Sequence, residues 1–186
     1  MSRLRNWSLV LLSVSVLVLA GCSSSSPTTT TTTAAASNAT SNAGAGGSST
    51  IASIPTQDRS PTGTAGTAPT VIVPSGTPPT QLESADLIAG TGLAVTAGDN
   101  VTVQYVLATY SSRKVVQSSW TSQPFQFTLG EGQVIPGWDK GVLGMRVGGR
   151  RELIIPPSLG YGAQSPGSGI AANDTLVFVV DLLKIG

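Results

Sequence analysis

The chain has 186 residues with ten lysines and arginines, nine aspartates and glutamates, one cysteine and no histidine. The lack of histidine excludes a Ser-His-Asp triad, a Cys-His pair and any metal site with histidine ligands. The formal net charge is +1 and no basic run is longer than Arg150-Arg151, which argues against nucleic acid as a partner. We expect these two arginines to lie solvated at a strand end. An enzyme of this composition has to work without a strong base.

Residues 1–21 are predicted to be the signal peptide of a lipoprotein. Arg3 and Arg5 precede an apolar run at residues 7–20 that is short for a membrane-spanning helix. The run closes on Leu19-Ala20-Gly21-Cys22, which resembles the lipobox of bacterial lipoproteins. This resemblance implies cleavage before Cys22 and a lipid anchor on its sulfur, which would hold the protein on the exported face of the cell membrane or envelope. The alternative is a plain secretory cleavage site beside an incidental cysteine.

Residues 22–66 are predicted to be a lipidated, disordered tether. Their composition is Ser, Thr, Ala, Gly, Asn and Pro, with six consecutive threonines at positions 28–33. Only Ile51 and Ile54 offer apolar surface, so the segment cannot bury enough of it to offset the entropy lost on ordering. We therefore expect the folded domain to begin at Thr67.

Residues 67–186 carry short apolar runs separated by Gly, Pro and Asn, which is typical of strands and turns. One helix is predicted at residues 136–145, because proline suits its first turn and Ile135, Trp138, Val142 and Met145 share one face. Gly141 and Gly144 should keep this helix short. The pattern indicates an α+β domain in which about five strands wrap one short helix. The strands are predicted at residues 71–73, 101–107, 115–116, 125–127, 150–155 and 175–184.

A series of short motifs in the domain resembles the FKBP-type peptidyl-prolyl cis-trans isomerases. The resemblance covers residues 69–186, and its fold is an antiparallel sheet around one short helix. It depends on the order and spacing of several motifs rather than on any one of them. These motifs are Val103-Gln104-Tyr105, Ser118-Ser119, Pro124-Phe125-Gln126-Phe127, Gln133-Val134-Ile135-Pro136-Gly137-Trp138, Met145-Arg146-Val147-Gly148, Tyr161-Gly162 and Thr175-Leu176-Val177-Phe178.

The resemblance implies an apolar pocket for a proline ring, with Trp138 as its floor. The pocket walls would be Tyr105, Phe125, Val134, Ile135, Tyr161 and Phe178. Further substrate contacts are implied for Val116, Gln117, Gln133 and Ile170. The Ile135 backbone N–H and the Tyr161 hydroxyl would hold substrate carbonyls. We expect a monomer that binds proline-containing polypeptides, with macrolides as further ligands and with no metal or cofactor.

The chain departs from the family pattern beside this pocket. The Phe-Asp pair of the family is here Val116-Gln117, and the arginine that joins the Asp in a polar network is missing from residues 120–123. A glutamate of the family is replaced by Gln133. Two functions follow as hypotheses: an active isomerase that assists folding of exported proteins by desolvating and twisting the Xaa-Pro amide, or a proline-peptide binding module with weak or no catalysis. A third is a stalked envelope protein with a repurposed domain.

Overall fold

The computed structural model describes residues 51–186. The expected signal peptide, Cys22 and the tether up to residue 50 lie outside the described residues. Within the described part, no helix has the length and apolar character needed to span a membrane. The elements in chain order are β1 (Ala52–Ser53), a 3-10 helix (Thr56–Asp58), β2 (Glu83–Ile88), β3 (Asn100–Thr109), β4 (Val115–Ser118), β5 (Phe125–Thr128), α1 (Pro136–Gly141), β6 (Arg150–Ile155), a second 3-10 helix (Pro157–Leu159) and β7 (Leu176–Ile185).

The described strands form one seven-stranded sheet in the order β1-β2-β6-β7-β3-β4, with β5 also paired to β3. All pairs are antiparallel except the short parallel pair β1–β2. β3 is long enough to pair with β5 through its first half and with β4 through its second half. The expected α+β architecture is confirmed, although the strand predicted at residues 71–73 does not form and β2 was not predicted.

Helix α1 lies directly on β6 because two glycines face that strand. A Cβ atom on Gly137 would stand 2.4 Å from Ile155 Cγ2, and one on Gly141 would stand 2.7 Å from Leu153 Cδ2. The helix ends at Gly141 rather than at the expected residue 145, because the chain turns at Gly144 with φ +75°. The predicted apolar face is otherwise confirmed, since Trp138, Val142 and Met145 are buried.

The outer face of the sheet, opposite α1, carries a second core that the sequence did not predict. Its buried members are Ile54, Val73, Ala85, Ala108, Ile154 and Val177. Two of them, Ile54 and Val73, come from the segment before β2, which we call the N-terminal strap (residues 51–74). Ile54 is fully buried, so the expected domain start at Thr67 is wrong. The segment is ordered because its few apolar side chains meet an apolar sheet face that would otherwise be exposed to water.

Polar side chains of β6 also face the strap. Arg150 is only 1% exposed, which corrects the expected solvated position. Its guanidinium pairs with both carboxylate oxygens of Asp181 at 2.6 and 2.7 Å and donates to the carbonyls of Thr62 and Thr67 at 2.9 and 2.7 Å. These partners replace water around the buried charge. Arg151 lies on the other face of the strand and is partly buried.

Candidate functional site

A cavity of about 470 Å³ opens beside the N-terminal end of α1. Its lining comes from β3, β4, β5, α1, β7 and the loops that precede α1 and follow β6. None of the lining side chains is charged. The lining residues are Tyr105, Gln117, Phe125, Gly132, Gln133, Val134, Ile135, Trp138, Tyr161 and Phe178.

Aromatic rings pack edge to face around the floor of this cavity. The Trp138 ring centroid lies 5.2 Å from that of Phe178 and 5.3 Å from that of Tyr105, with interplanar angles of 84° and 86°. Phe127 closes the cluster at 5.5 Å from Trp138 and stacks on Phe125 at 5.7 Å. Each such pair contributes about 0.5–1.5 kcal/mol beyond area burial, so the rings hold one another in place without a bound ligand.

Tyr105 is held at the backbone by the Ser-Ser motif after β4. Its N–H donates to Ser119 Oγ at 2.8 Å, and the Ser119 N–H donates to the Tyr105 carbonyl at 3.0 Å. Ser119 Oγ donates in turn to Gln104 Oε1. Desolvation by burial, followed by the nearby Tyr161, raises the pKa of the Tyr105 phenol above its ordinary value of 10.0. The ring therefore stays a neutral hydrogen-bond donor at any physiological pH.

Two neutral donors in the lining remain available. Ile135 precedes α1 in an extended conformation, and its carbonyl accepts the Trp138 N–H at 2.9 Å. Within residues 51–186 neither the Ile135 N–H nor the Tyr161 hydroxyl has a hydrogen-bond partner. Tyr161 follows a 3-10 turn that is closed by the Gly160 N–H on the Pro157 carbonyl at 3.1 Å. The Gly162 N–H donates to the same carbonyl at 3.0 Å, and Gly162 adopts φ +57°. Both donors can meet the carbonyls of a bound peptide.

Side chains on the rim fix the loop between β5 and α1. Gln133 Oε1 accepts the Thr128 N–H at 3.1 Å, and Asp139 Oδ1 accepts the Gly130 N–H at 2.9 Å. Sequence reasoning named Gln133 as a substrate contact but missed Asp139 as a loop brace. The sequence offers only a weak signal for this contact, which is the acidic side chain of Asp139 in the first turn of α1.

Two side chains expected at the site are not part of the cavity lining. Val116 falls at a β-bulge of β4, where the register between Leu107 and Ala108 shifts. It packs against the main core, which includes Trp138 and Val142 of the α1 region and which we call the helix-side core. The loop before β7 approaches Val116 closely, since a Cβ atom on Gly169 would stand 3.3 Å from Val116 Cγ1. Ile170 is 6% exposed and belongs to the same core. Both therefore support the lining from behind.

The site can hold an apolar ring on Trp138 and bind flanking carbonyls through neutral donors. Among residues 51–186, no group of three or more His, Cys, Asp or Glu side chains could hold a metal ion. With no charged group in the lining, the interior is a medium of low polarity that favours whatever form of a substrate carries the smaller dipole.

Comparison with known proteins finds a family, relatives and solved structures that are similar to this chain. Residues 92–183 match the family model described as FKBP-type peptidyl-prolyl cis-trans isomerase. The chain is 49% identical over 119 residues to the FK506-binding protein of Streptomyces anulatus, covering 63% of this chain and 96% of that protein. FK506-binding protein 2 of Dictyostelium discoideum is 48% identical over 89 residues, 48% of this chain and 67% of that protein. The crystal structure of FkpA from Escherichia coli is similar at a TM-score of 0.51 and 38% identity, covering 57% of this chain and 48% of that chain.

Proposed function

We propose a mechanism and a cellular role for this chain, which belongs to the FKBP-type peptidyl-prolyl cis-trans isomerase family. The enzyme accelerates rotation about the Xaa-Pro bond by taking the amide out of water. The observation that carries this mechanism is the cavity itself: an aromatic floor, apolar walls and neutral donors, with no charged side chain in the lining. Such a site suits a reaction that transfers no proton.

The barrier to amide rotation comes from resonance and is about 18–20 kcal/mol. Twisting the bond removes the resonance and much of the amide dipole. Water stabilises the planar, more polar state, whereas an apolar site does not. Rings at Trp138, Phe125 and Phe178 supply that site, and each 1.36 kcal/mol of preference for the twisted state gives about a tenfold rate gain.

Two lining donors hold the peptide while the bond twists. The Ile135 N–H and the Tyr161 hydroxyl bind carbonyls on either side of the proline, which keeps the peptide in a turn. Fixing the flanking groups turns a freely tumbling amide into one with a single rotating bond. Gln117 and Gln133 add neutral amides at the wall, so binding does not require a charged substrate.

The test is the cis-to-trans isomerisation of a short Leu-Pro peptide by the full-length chain purified in mild detergent. Tyr161→Phe keeps the ring and removes one donor, so kcat/KM should fall about 2- to 15-fold, as expected for one hydrogen bond. Trp138→Ala removes the floor and should lower kcat/KM by more than that. Tyr110→Phe is the matched control, because Tyr110 packs against the outer-face core and not at the cavity. Equal rates for all three variants, each folded by circular dichroism, would contradict the mechanism.

A second candidate function is proline-peptide binding with little turnover. Gln117 favours it, since an amide in the wall changes the polar surroundings of Tyr105 and Tyr161 from those of the family. The same assay separates the two functions. A binding module would hold a Leu-Pro peptide with measurable affinity and leave its isomerisation rate at the uncatalysed value.

For the cellular role, we propose an exported isomerase anchored through a lipid on Cys22 that acts on proline-containing polypeptides in the envelope. The support is the sequence Leu19-Ala20-Gly21-Cys22 after a short apolar run. Cys22→Ser should abolish incorporation of labelled palmitate and release the protein from membranes. Retention of the label in that variant would exclude this anchor. Because the relatives are named for FK506 binding, we also propose that FK506 competes with the peptide for the cavity. We further propose that the protein acts as a monomer.

A further inference from the structure

One buried carboxyl group takes no part in the proposed mechanism. Glu152 lies in the middle of β6, is fully buried and faces the N-terminal strap. It forms no salt bridge within residues 51–186, whereas the other buried charge on this strand, Arg150, is paired with Asp181. A buried carboxylate without a counter-ion is costly, so this position must be stabilised in another way.

The only hydrogen-bond partner of the Glu152 carboxyl group in the described part of the chain is Ser60 of the strap. The Ser60 N–H donates to Oε2 at 2.9 Å and the Ser60 hydroxyl lies 2.5 Å from Oε1. Ser60 Oγ also accepts the Ile72 N–H at 2.8 Å, so the Ser60 hydroxyl links the later part of the strap to this carboxyl. When the strap is docked, Glu152 loses all contact with water. Without the strap, the carboxyl would lose Ser60 and would bond to water instead.

We propose that the strap and the outer face of the sheet form a proton-linked latch, in which residues 51–74 bind β6 tightly when Glu152 is neutral and loosen as it ionises. A neutral carboxyl can still accept the Ser60 N–H on its carbonyl oxygen and donate its own proton to Ser60 Oγ. An ionised carboxylate accepts the same two Ser60 hydrogen bonds, but its charge has neither water nor a salt-bridge partner in this buried site. The docked strap therefore favours the protonated form.

The charged groups around Glu152 leave this preference in place. Burial raises the pKa of Glu152 above its ordinary value of 4.5, and the Ser60 hydrogen bonds and Arg59 lower it only in part. Arg59 donates to the Ile54 carbonyl rather than to the carboxyl. On the neighbouring positions of the same face, Arg150 is neutralised by Asp181 at 2.6 Å.

Strand β2, which lies between β1 and β6, adds a second acidic group that titrates. Glu83 lies two residues from Ala85, the β2 partner of Glu152 in the ladder. Burial, followed by the nearby Asp58 of the strap, raises the pKa of Glu83 as well. Ionisation of Glu83 therefore also opposes docking, and, as for Glu152, this effect grows as the pH rises.

The sign of the linkage follows from a pKa that is higher in the docked state. Docking is fully favourable below about pH 4.5, where the carboxyl is protonated in both states, and weakens as pH rises through the docked-state pKa. One proton changes the docking equilibrium by at most about tenfold for each pH unit. Protection of β7, which is paired with β3 and β6 inside the sheet, should not follow this dependence.

Hydrogen exchange of the full-length chain, corrected for the intrinsic exchange rate at each pH, tests the latch. Strap peptides covering residues 51–74 should lose more than tenfold protection between pH 5 and pH 8, while β7 peptides keep theirs. Glu152→Gln, which keeps the shape but cannot ionise, should hold strap protection within about threefold across the same range. Glu131→Gln, an exposed carboxyl outside the strap contact, should behave like the unchanged chain.

Two results would overturn the latch: strap protection in the unchanged chain that does not vary with pH, or a pH slope that persists in Glu152→Gln. If Glu152→Gln does not fold, Ser60→Ala provides the second measure. That variant should lower strap protection at pH 5 by about 5- to 30-fold, because it removes the buried hydroxyl that bonds both Glu152 and the Ile72 N–H. Unchanged protection in Ser60→Ala would equally exclude Ser60 and Glu152 as the latch.

Discussion

Replacement of Ile54 by alanine tests whether the strap is part of the folded domain. Ile54 is 0% exposed and contacts the outer-face core, so Ile54→Ala should cost about 2–5 kcal/mol of unfolding free energy through lost burial and the cavity it leaves. Ile72→Ala is the matched control in the same strap, because Ile72 is 44% exposed and its truncation should cost about 0.5 kcal/mol or less.

Urea unfolding followed by tryptophan fluorescence measures both changes. Trp7→Phe in every variant leaves the signal to Trp120 and Trp138, which both belong to the folded domain. With a urea m-value of about 2 kcal/mol/M, the Ile54→Ala midpoint should fall by roughly 1–2.5 M and the control by about 0.25 M or less. Equal midpoints for the two variants would show that the strap does not contribute to the cooperative unit, and the reasoning on the outer-face core would be wrong.

Three further predictions concern the helix contact, the pocket and the buried ion pair. Gly137→Ala should destabilise the domain by about 1–3 kcal/mol in the same urea assay, because the new methyl overlaps Ile155, and Ile155→Val should recover part of the loss. The kcat/KM for a Leu-Pro peptide should stay constant from pH 5 to 9, because the raised pKa of Tyr105 keeps its phenol neutral and no lining side chain is charged. Arg150→Met should cost about 3–5 kcal/mol by leaving Asp181 buried without its partner, and adding Asp181→Leu should restore much of the midpoint.

The pocket could be predicted because its residues fall in short motifs of fixed spacing. The floor at Trp138 and the wall at Val134 and Ile135 are neighbours in sequence, so one local turn places them together. Tyr105 lies on β3 and Phe178 on β7, and these two strands pair. Tyr105 is opposite Val180 and Phe178 is opposite Leu107, so the two rings are only two ladder positions apart. Alternation along both strands then sends the two rings to the same face.

Local geometry that depends on register could not be predicted. The order Val116-Gln117 does not reveal the β-bulge in β4, which removes Val116 from the ladder and leaves Gln117 at the cavity. Similarly, the length of the loop before β7 does not show that Ile170 turns back into the helix-side core.

The strap shows why average composition misjudged where the domain begins. Composition measures how much apolar surface a segment carries, but docking depends on where a few side chains meet the sheet. Ile54 and Ser60 contact residues of β6, and Ser60 is 92 positions away from Glu152 in sequence, so no local window contains both.

The sequence of β6, rather than that of the strap, carries the signal that this face of the sheet is covered. Arg150 and Glu152 alternate on one face of a strand that ends in Leu153, Ile154 and Ile155. A central strand can keep two buried charges on one face only if other segments supply their partners. Such a charged pair in a central strand predicts a cover for that face, even when the covering segment itself gives no sign of order.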